Sequence, residues 1–151
     1  VAQRFSAEIW ADWAQTRIFD YLADFRNLPD WHPAVEESEL LTMDPYVRNA
    51  RHLVRGRIAG RRIEAEIVTT ELERPRLLVA TAANAAAQTT DRFDLGRAED
   101  EKVSVTYRTE LQLNAPLRVI GPLMVPALTS AWGAAAAGLE RVLNGDGSGL
   151  D

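Results

Sequence analysis

Six strand-like runs follow one another between Val35 and Leu113, and no gap between them is long enough for a connecting helix. They are Val35 to Leu41, Arg48 to Arg57, Ile63 to Leu72, Leu77 to Ala83, Gln88 to Leu95 and Lys102 to Leu113. Parallel neighbours need crossovers of a dozen residues or more, so these runs must pair antiparallel, as a meander. Turn signals separate them at Asp44-Pro45, Ala59-Gly60, Arg74-Pro75 and Gly96 to Glu101. The last run alternates most cleanly, as a half-buried strand does. Val103, Val105, Tyr107, Thr109, Leu111 and Leu113 share one face; Ser104, Thr106, Arg108, Glu110 and Gln112 share the other.

Arg4 to Ile9 alternates in the same way and predicts a first strand. Asp12 and Gln15 have capping-box spacing, and Ile18, Phe19, Leu22 and Phe25 follow at helical spacing. Pro29 disfavours helix at Leu28, which predicts a stop near Asn27; Pro33 closes a short second turn holding Trp31 and His32. After Pro116 the chain reads as one long helix to Leu143, then a polar, Gly-rich tail. The expected domain spans residues 1–144, with 145–151 as a flexible tail. Only the long helix is large enough to cover the apolar face of the sheet. A curved sheet wrapped around it leaves an internal space, lined by the small inward set Ala50, Val54, Ile63, Ala65, Val103, Val105 and Thr109.

Composition narrows the function. Lys+Arg 17 against Asp+Glu 22 gives a formal net charge of -5, which argues against general nucleic-acid binding. The absence of Cys excludes disulfides, thiolate nucleophiles and zinc–cysteine sites, and His32 and His52 alone make no His-rich metal site. No Gly-rich phosphate loop is present, so no cofactor is expected. The 21 residues from Val119 to Leu139 carry no charge, but Pro122, Pro126, Gly121, Gly133 and Gly138 fit a buried soluble helix better than a membrane span. Every basic residue except Lys102 is arginine, which with the many alanines fits a GC-rich bacterial source. No apolar leader core follows a basic start, so a cytoplasmic location is the expectation.

One segment carries a family likeness: Ile18-Phe19-Asp20-Tyr21-Leu22-Ala23-Asp24-Phe25-Arg26-Asn27-Leu28-Pro29-Asp30-Trp31-His32-Pro33. Its aliphatic–Phe pair, Tyr–Leu step and Asn-x-Pro-x-Trp resemble the START-like superfamily, specifically the polyketide cyclase/dehydrase and lipid-transport group. Gly60-Arg61-Arg62, Leu72-Glu73-Arg74-Pro75 and Pro116-Leu117 add to a likeness that covers about Arg4 to Leu143. The resemblance implies a helix-grip α+β fold: a curved antiparallel sheet of about seven strands, in the order β-α-α-β-β-β-β-β-β-α, wrapped around a long C-terminal helix. It also implies a cavity for a hydrophobic small molecule of polyketide, lipid or aromatic type. Cyclase/dehydrase activity, lipid transport and binding without catalysis all stay open, because one fold hosts many functions. Two features depart from the family pattern. Trp13-Ala14-Gln15 stands where relatives often carry a proline pair, and the middle of the last helix lacks charge.

Catalysis in such a cavity would be aldol cyclisation and dehydration, with His52, Asp91 and Tyr107 as the candidate catalytic residues. Parity sets Ala50, His52, Val54 and Gly56 opposite Arg51, Leu53, Arg55 and Arg57. Arginines prefer water, so His52 faces inward, as a proton carrier or as a buried structural group. Asp91 shares parity with Phe93 and Leu95; a buried carboxylate either has a partner or marks a site, unless strand twist leaves Asp91 at an exposed end. Tyr107, on the inner face, can orient a ligand hydroxyl, stabilise an enolate, or serve only as core. Trp31 and His32 lie on the short helix expected to border the cavity mouth, Trp31 there or as a structural residue packed under a helix pair, His32 there or as a plain surface histidine. Trp31, Ala50, Val54, Ile63, Phe93, Val105 and Thr109 are ligand-binding candidates, joined by Met124, Leu128 and Trp132 from the long helix.

The alternative to ligand binding is a non-catalytic interaction or regulatory protein, and two surfaces suggest its partners. Arg48, Arg51, Arg55, Arg57, Arg61 and Arg62 have no acid among them. That hairpin suits an acyl carrier protein or an anionic surface, or is simply charged against edge aggregation. On the long helix, Leu117, Met124, Leu128, Ala131, Trp132, Ala135, Leu139 and Val142 form a stripe expected to face the sheet. The opposite side, with Leu123, Pro126, Ser130, Gly133, Ala134 and Ala137, is uncharged. It is expected to be covered by a second copy in a homodimer, or to be a tolerated alanine-rich surface.

Overall fold

Seven strands form one antiparallel sheet in the computed structural model, which describes residues 2–58, 60–96, 100–115 and 121–145. The chain runs β1 (Gln3–Ala11), α1 (Gln15–Ala23), a 3-10 turn (Phe25–Asn27), α2 (Leu28–Trp31) and β2 (Val35–Leu40). It continues through β3 (Arg51–Ile58), β4 (Arg61–Glu73), β5 (Leu77–Ala83), β6 (Ala87–Leu95), β7 (Val103–Leu113) and α3 (Gly121–Leu143). Across the sheet the order is β1-β7-β6-β5-β4-β3-β2, so the meander closes with β1 beside β7. This is the expected helix-grip α+β architecture.

Local departures from the sequence reading have identifiable causes. β3 starts at Arg51 rather than Arg48, because Asn49 is left-handed (φ 70) and the Ala50 N–H donates to Val47 O in a turn. Asp12 does not cap α1, whose N-cap position is Ala14 with no side-chain bond. Asp12 instead accepts from Lys102 Nζ at 2.5 Å, and its backbone N–H donates to Asn144 Oδ1. Leu28 is helical despite Pro29, since proline is accommodated in a first turn that has no use for its missing N–H. Asn144 ties the end of α3 to β1 through a bond from Nδ2 to Trp10 O at 2.9 Å. The remainder of the expected tail, residues 146–151, lies outside the described residues.

α3 presents the expected stripe to the concave face of the sheet. Leu128, Trp132, Ala135, Leu139 and Leu143 are buried, while Ala131 and Val142 are half-buried. Leu123, Pro126, Ser130, Gly133, Ala134 and Ala137 are exposed. Leu117 and the side chain of Met124 lie outside the described residues. Among those described, no helix is long and apolar enough to cross a membrane. Two apolar clusters form beneath α3. The larger joins Ala135, Leu139 and Leu143 to α1, α2 and the adjoining part of the sheet; the smaller joins Leu128 and Trp132 to Leu111, with Phe5, Ile58, Ala87 and Leu113.

α3 can lie this close to α2 only because residue 138 has no side chain. A Cβ on Gly138 would sit 2.2 Å from the Trp31 carbonyl oxygen, whereas one on Gly133 would meet nothing within 4 Å. Gly138→Ala should therefore cost about 1–3 kcal/mol through overpacking. Gly133→Ala should stabilise by up to about 1 kcal/mol through helix propensity. Urea denaturation of the two variants checks both signs.

Candidate functional site beneath the last helix

The concave face divides along the length of the strands. At the α2 end it is packed solid: Ala50, Val54, Phe93, Val103, Val105 and Tyr107 are all buried. Phe93 and Tyr107 stack with ring centroids 4.9 Å apart, and Trp31 packs edge-on to both, at 6.2 and 5.9 Å. Trp31 is therefore part of this aromatic core rather than of a mouth. Ala50, Phe93 and Val105 have no more than 1% of their surface accessible, so they back the site without lining it.

Towards the other end, inward-pointing residues keep accessible surface. Register places Phe5, Ile63, Ala65, Ala82, Ala87, Thr89 and Asp91 on the concave side, where each is only half-buried. Strand positions pointing into a sheet's covered face fill completely when side chains meet there. Their residual accessibility marks space between the sheet and α3, bordered by Leu128 and Trp132, with Thr109 in its floor.

Asp91 stands at the boundary between the packed and open halves. It pairs in register with Ala80 on one side and Thr109 on the other, and Thr109 pairs with Phe5. Burial pushes its carboxyl up to about 6. The Thr109 hydroxyl lies close enough to offset part of that rise, but without a well-formed hydrogen bond. Burial, and then the Asp91 charge, raise the Tyr107 phenol well above its ordinary value, so it stays protonated. Thr69 and Thr109 are at most 3% exposed, and their hydroxyls have no hydrogen-bond partner among the described residues. A buried polar atom left unpaired costs about 1–3 kcal/mol, and such atoms gather where something else supplies the partner.

His52 faces inward as parity requires, yet it is fully buried and away from Asp91. Its ring packs edge-on to Phe25 at 5.4 Å, and Nε2 lies 3.6 Å from Asp24 Oδ1. Burial lowers its pKa against the opposing pull of Asp24, and neither ring nitrogen has a hydrogen-bond partner among the described residues. Asp24 is raised by burial but more strongly held down by Arg26, whose Nη2 approaches Oδ2 at 2.8 Å. Sequence reading missed this Asp24–Arg26 pair; its only signal was two opposite charges beside an apolar helix face. His32, beside Trp31, is half-buried. Its Nδ1 accepts from the Ala34 N–H at 3.2 Å, and burial takes its pKa down to about 4.

The outer face of the sheet carries a separate groove of about 620 Å³, lined by Arg4, Ser6, Thr90, Arg92, Arg108 and Glu110 with Phe5 and Thr109. Its guanidiniums are partnered: Arg4 with Glu110, Arg92 and Arg108 with Asp94. Half of the basic hairpin's arginines are paired in the same way. Arg51 pairs with Glu66, Arg55 with Glu64 and Glu37, and Arg57 with Glu36, acids that lie on neighbouring strands and not within the run itself. Among the described residues no cluster of His, Asp and Glu could hold a metal ion.

A family model for polyketide cyclase / dehydrase and lipid transport matches residues 2–144. The chain belongs to this family. No functionally curated protein matches it. Solved structures with the same fold include a START superfamily protein from Mycobacterium smegmatis, at TM-score 0.74 and 14% identity over 94% of this chain and 96% of that one. The Zhui aromatase/cyclase from Streptomyces sp. R1128 superposes at TM-score 0.71 and 11% identity, over 97% and 99%. The di-domain ARO/CYC BexL from the BE-7585A biosynthetic pathway gives 0.71 and 16%, over 95% of this chain and 50% of that one. At these identities the likeness shows the fold alone. What this polyketide cyclase/dehydrase family member does with its concave face depends on its own residues.

Asp91 provides a check on the site that needs no ligand. A carboxyl whose folded pKa is about 6 holds its proton more tightly folded than unfolded. Its presence therefore destabilises the fold increasingly as pH rises from about 4 through 6, by roughly 3 kcal/mol above that window. Asp91→Asn should raise the melting temperature clearly at pH 8 and leave it nearly unchanged at pH 4.

Proposed function

We propose that this protein binds one small, largely apolar molecule in the space between α3 and the distal half of the sheet. The observation that carries this reading is the accessible surface kept by inward-facing Ile63, Ala65, Ala82, Thr89 and Asp91. Apolar walls supply affinity and a few convergent polar groups supply orientation, as in most small-molecule sites. Trp132, Leu128 and Phe5 are the walls; Asp91 and Thr109 are the polar groups. Membership of a polyketide cyclase/dehydrase and lipid-transport family agrees with it.

A second reading adds proton transfer. The Asp91 carboxyl titrates at about 6, beside the protonated Tyr107 phenol. A general base works best with a pKa near the working pH, and a neutral phenol can donate to a developing enolate. Those are the parts needed for aldol cyclisation and dehydration of a folded chain. His52, sealed behind Phe25, has no place in that step. Docking of an acyl carrier protein at the Arg48–Arg62 hairpin would rest on Arg48, Arg61 and Arg62, since Arg51, Arg55 and Arg57 already have acidic partners. A homodimer would cover the exposed outer side of α3, where Leu123 is 82% accessible.

Titration with the neutral dye Nile red should saturate at about one site per chain. Ala65→Phe, which fills the space from β4, should weaken binding at least tenfold at an unchanged melting temperature. Absence of saturable binding would sink the ligand-binding reading. Turnover of a cyclising poly-β-ketone by the parent chain, lost in Asp91→Asn and Tyr107→Phe, would support the second reading; no turnover by the parent would remove it.

A further inference from the structure

The site contains a buried carboxylate and, among the described residues, nothing positive to set against it. Asp91 has no Lys, Arg or His close enough to shift it; burial and the Thr109 hydroxyl are the influences on it. Facing elements offer no cation either. β5 brings Ala80 against it, β7 brings Thr109 and Tyr107, and the buried stripe of α3 is Leu128, Trp132, Ala135, Leu139 and Leu143. Among the described residues Tyr107 is the one titratable neighbour, and it is neutral. Asp91 still keeps some accessible surface, so the residue borders the open half and is not sealed in the core. Beside it the Thr109 hydroxyl, 3% exposed and near the carboxyl, has no well-formed hydrogen bond among the described residues.

We propose that the molecule held under α3 is a compact hydrophobic amine, with its ammonium group against Asp91 and Thr109 and its ring body against Phe5, Trp132 and Leu128. A buried carboxylate is stable only when paired, and a ligand that brings the missing cation turns a standing cost into affinity. Three donors on an ammonium match the two carboxyl oxygens and the hydroxyl. Phe5 and Trp132 lie 6.1 Å apart and offer an apolar wall of the right kind for an aromatic or alicyclic body. The net charge of -5 also favours the approach of a cation over an anion. This inference rests on the ligand-binding reading and not on the cyclisation reading, whose substrate is neutral.

The probes are 1-naphthylmethylamine, a cation at neutral pH, and 1-naphthalenemethanol, its neutral counterpart of similar size. Isothermal titration at pH 7.5 should show the amine binding at least tenfold more tightly than the alcohol. That preference should vanish in Asp91→Asn, shrink in Thr109→Val, and fall away at pH 5, where the carboxyl is protonated. Thr109→Val removes no charge and keeps the side-chain shape, so it guards against a folding artefact at Asp91. Equal affinity for the two probes, a preference that survives Asp91→Asn, or Nile red binding with neither naphthalene bound would each overturn the inference while leaving the ligand-binding reading in place. Failure of Nile red and both naphthalenes together would remove the reading itself.

Discussion

A single helix has to cover a seven-stranded sheet. Strands spaced about 4.8 Å apart make a sheet roughly 30 Å wide, and a helix with its side chains is about 10–12 Å across. The sheet must therefore curl around α3, and whatever the helix leaves bare must be filled by other elements or left open. At one end α1, the 3-10 turn and α2 do the filling: Ile18, Phe19, Leu22, Phe25, Leu28 and Trp31 are all buried. That end closes because Gly138 lets α3 press onto the Trp31 backbone. No described element fills the other end in the same way, and there the inward residues of β4, β5 and β6 stay partly accessible.

The polar groups lie where this architecture lets them matter. A carboxylate deep in a packed core would be expelled or protonated; one facing bulk water would be ordinary. Asp91 sits at the boundary, buried enough for its carboxyl to be raised and open enough to meet another molecule. His52 shows the contrast. It shares the inward face but is sealed beneath Phe25, with Nε2 turned towards Asp24 and not towards open space. Inward direction alone does not make a residue a candidate; it must also lie at or beside the accessible half, as Asp91, Thr109 and Tyr107 do and His52 does not.

Strand alternation made the fold legible. The faces of β7 and the burial of the α3 stripe follow directly from periodicity, and the arginine parity of β3 gives the correct orientation for His52. Features that depend on residues distant in sequence could not be read. Asp12 has the spacing of a cap but is claimed by Lys102 and Asn144. The basic hairpin looks unbalanced along the chain, yet its acids, Glu36, Glu37, Glu64 and Glu66, arrive from adjacent strands. Of the small inward residues, Ala50, Val103 and Val105 belong to the packed end, while Ile63 and Ala65 border the open one. Parity shows direction and says nothing of how far along a strand the covering elements reach.

Thr89 and Thr90 are neighbours on β6 that point to opposite faces, Thr89 beneath α3 and Thr90 into the outer groove. Their methyl groups make the most direct test of where a ligand binds. Intermolecular nuclear Overhauser effects from bound Nile red should reach the Thr89 methyl, together with those of Ala65 and Leu128, and should not reach Thr90. Contacts to Thr90 without Thr89 would place binding on the outer face and contradict the account.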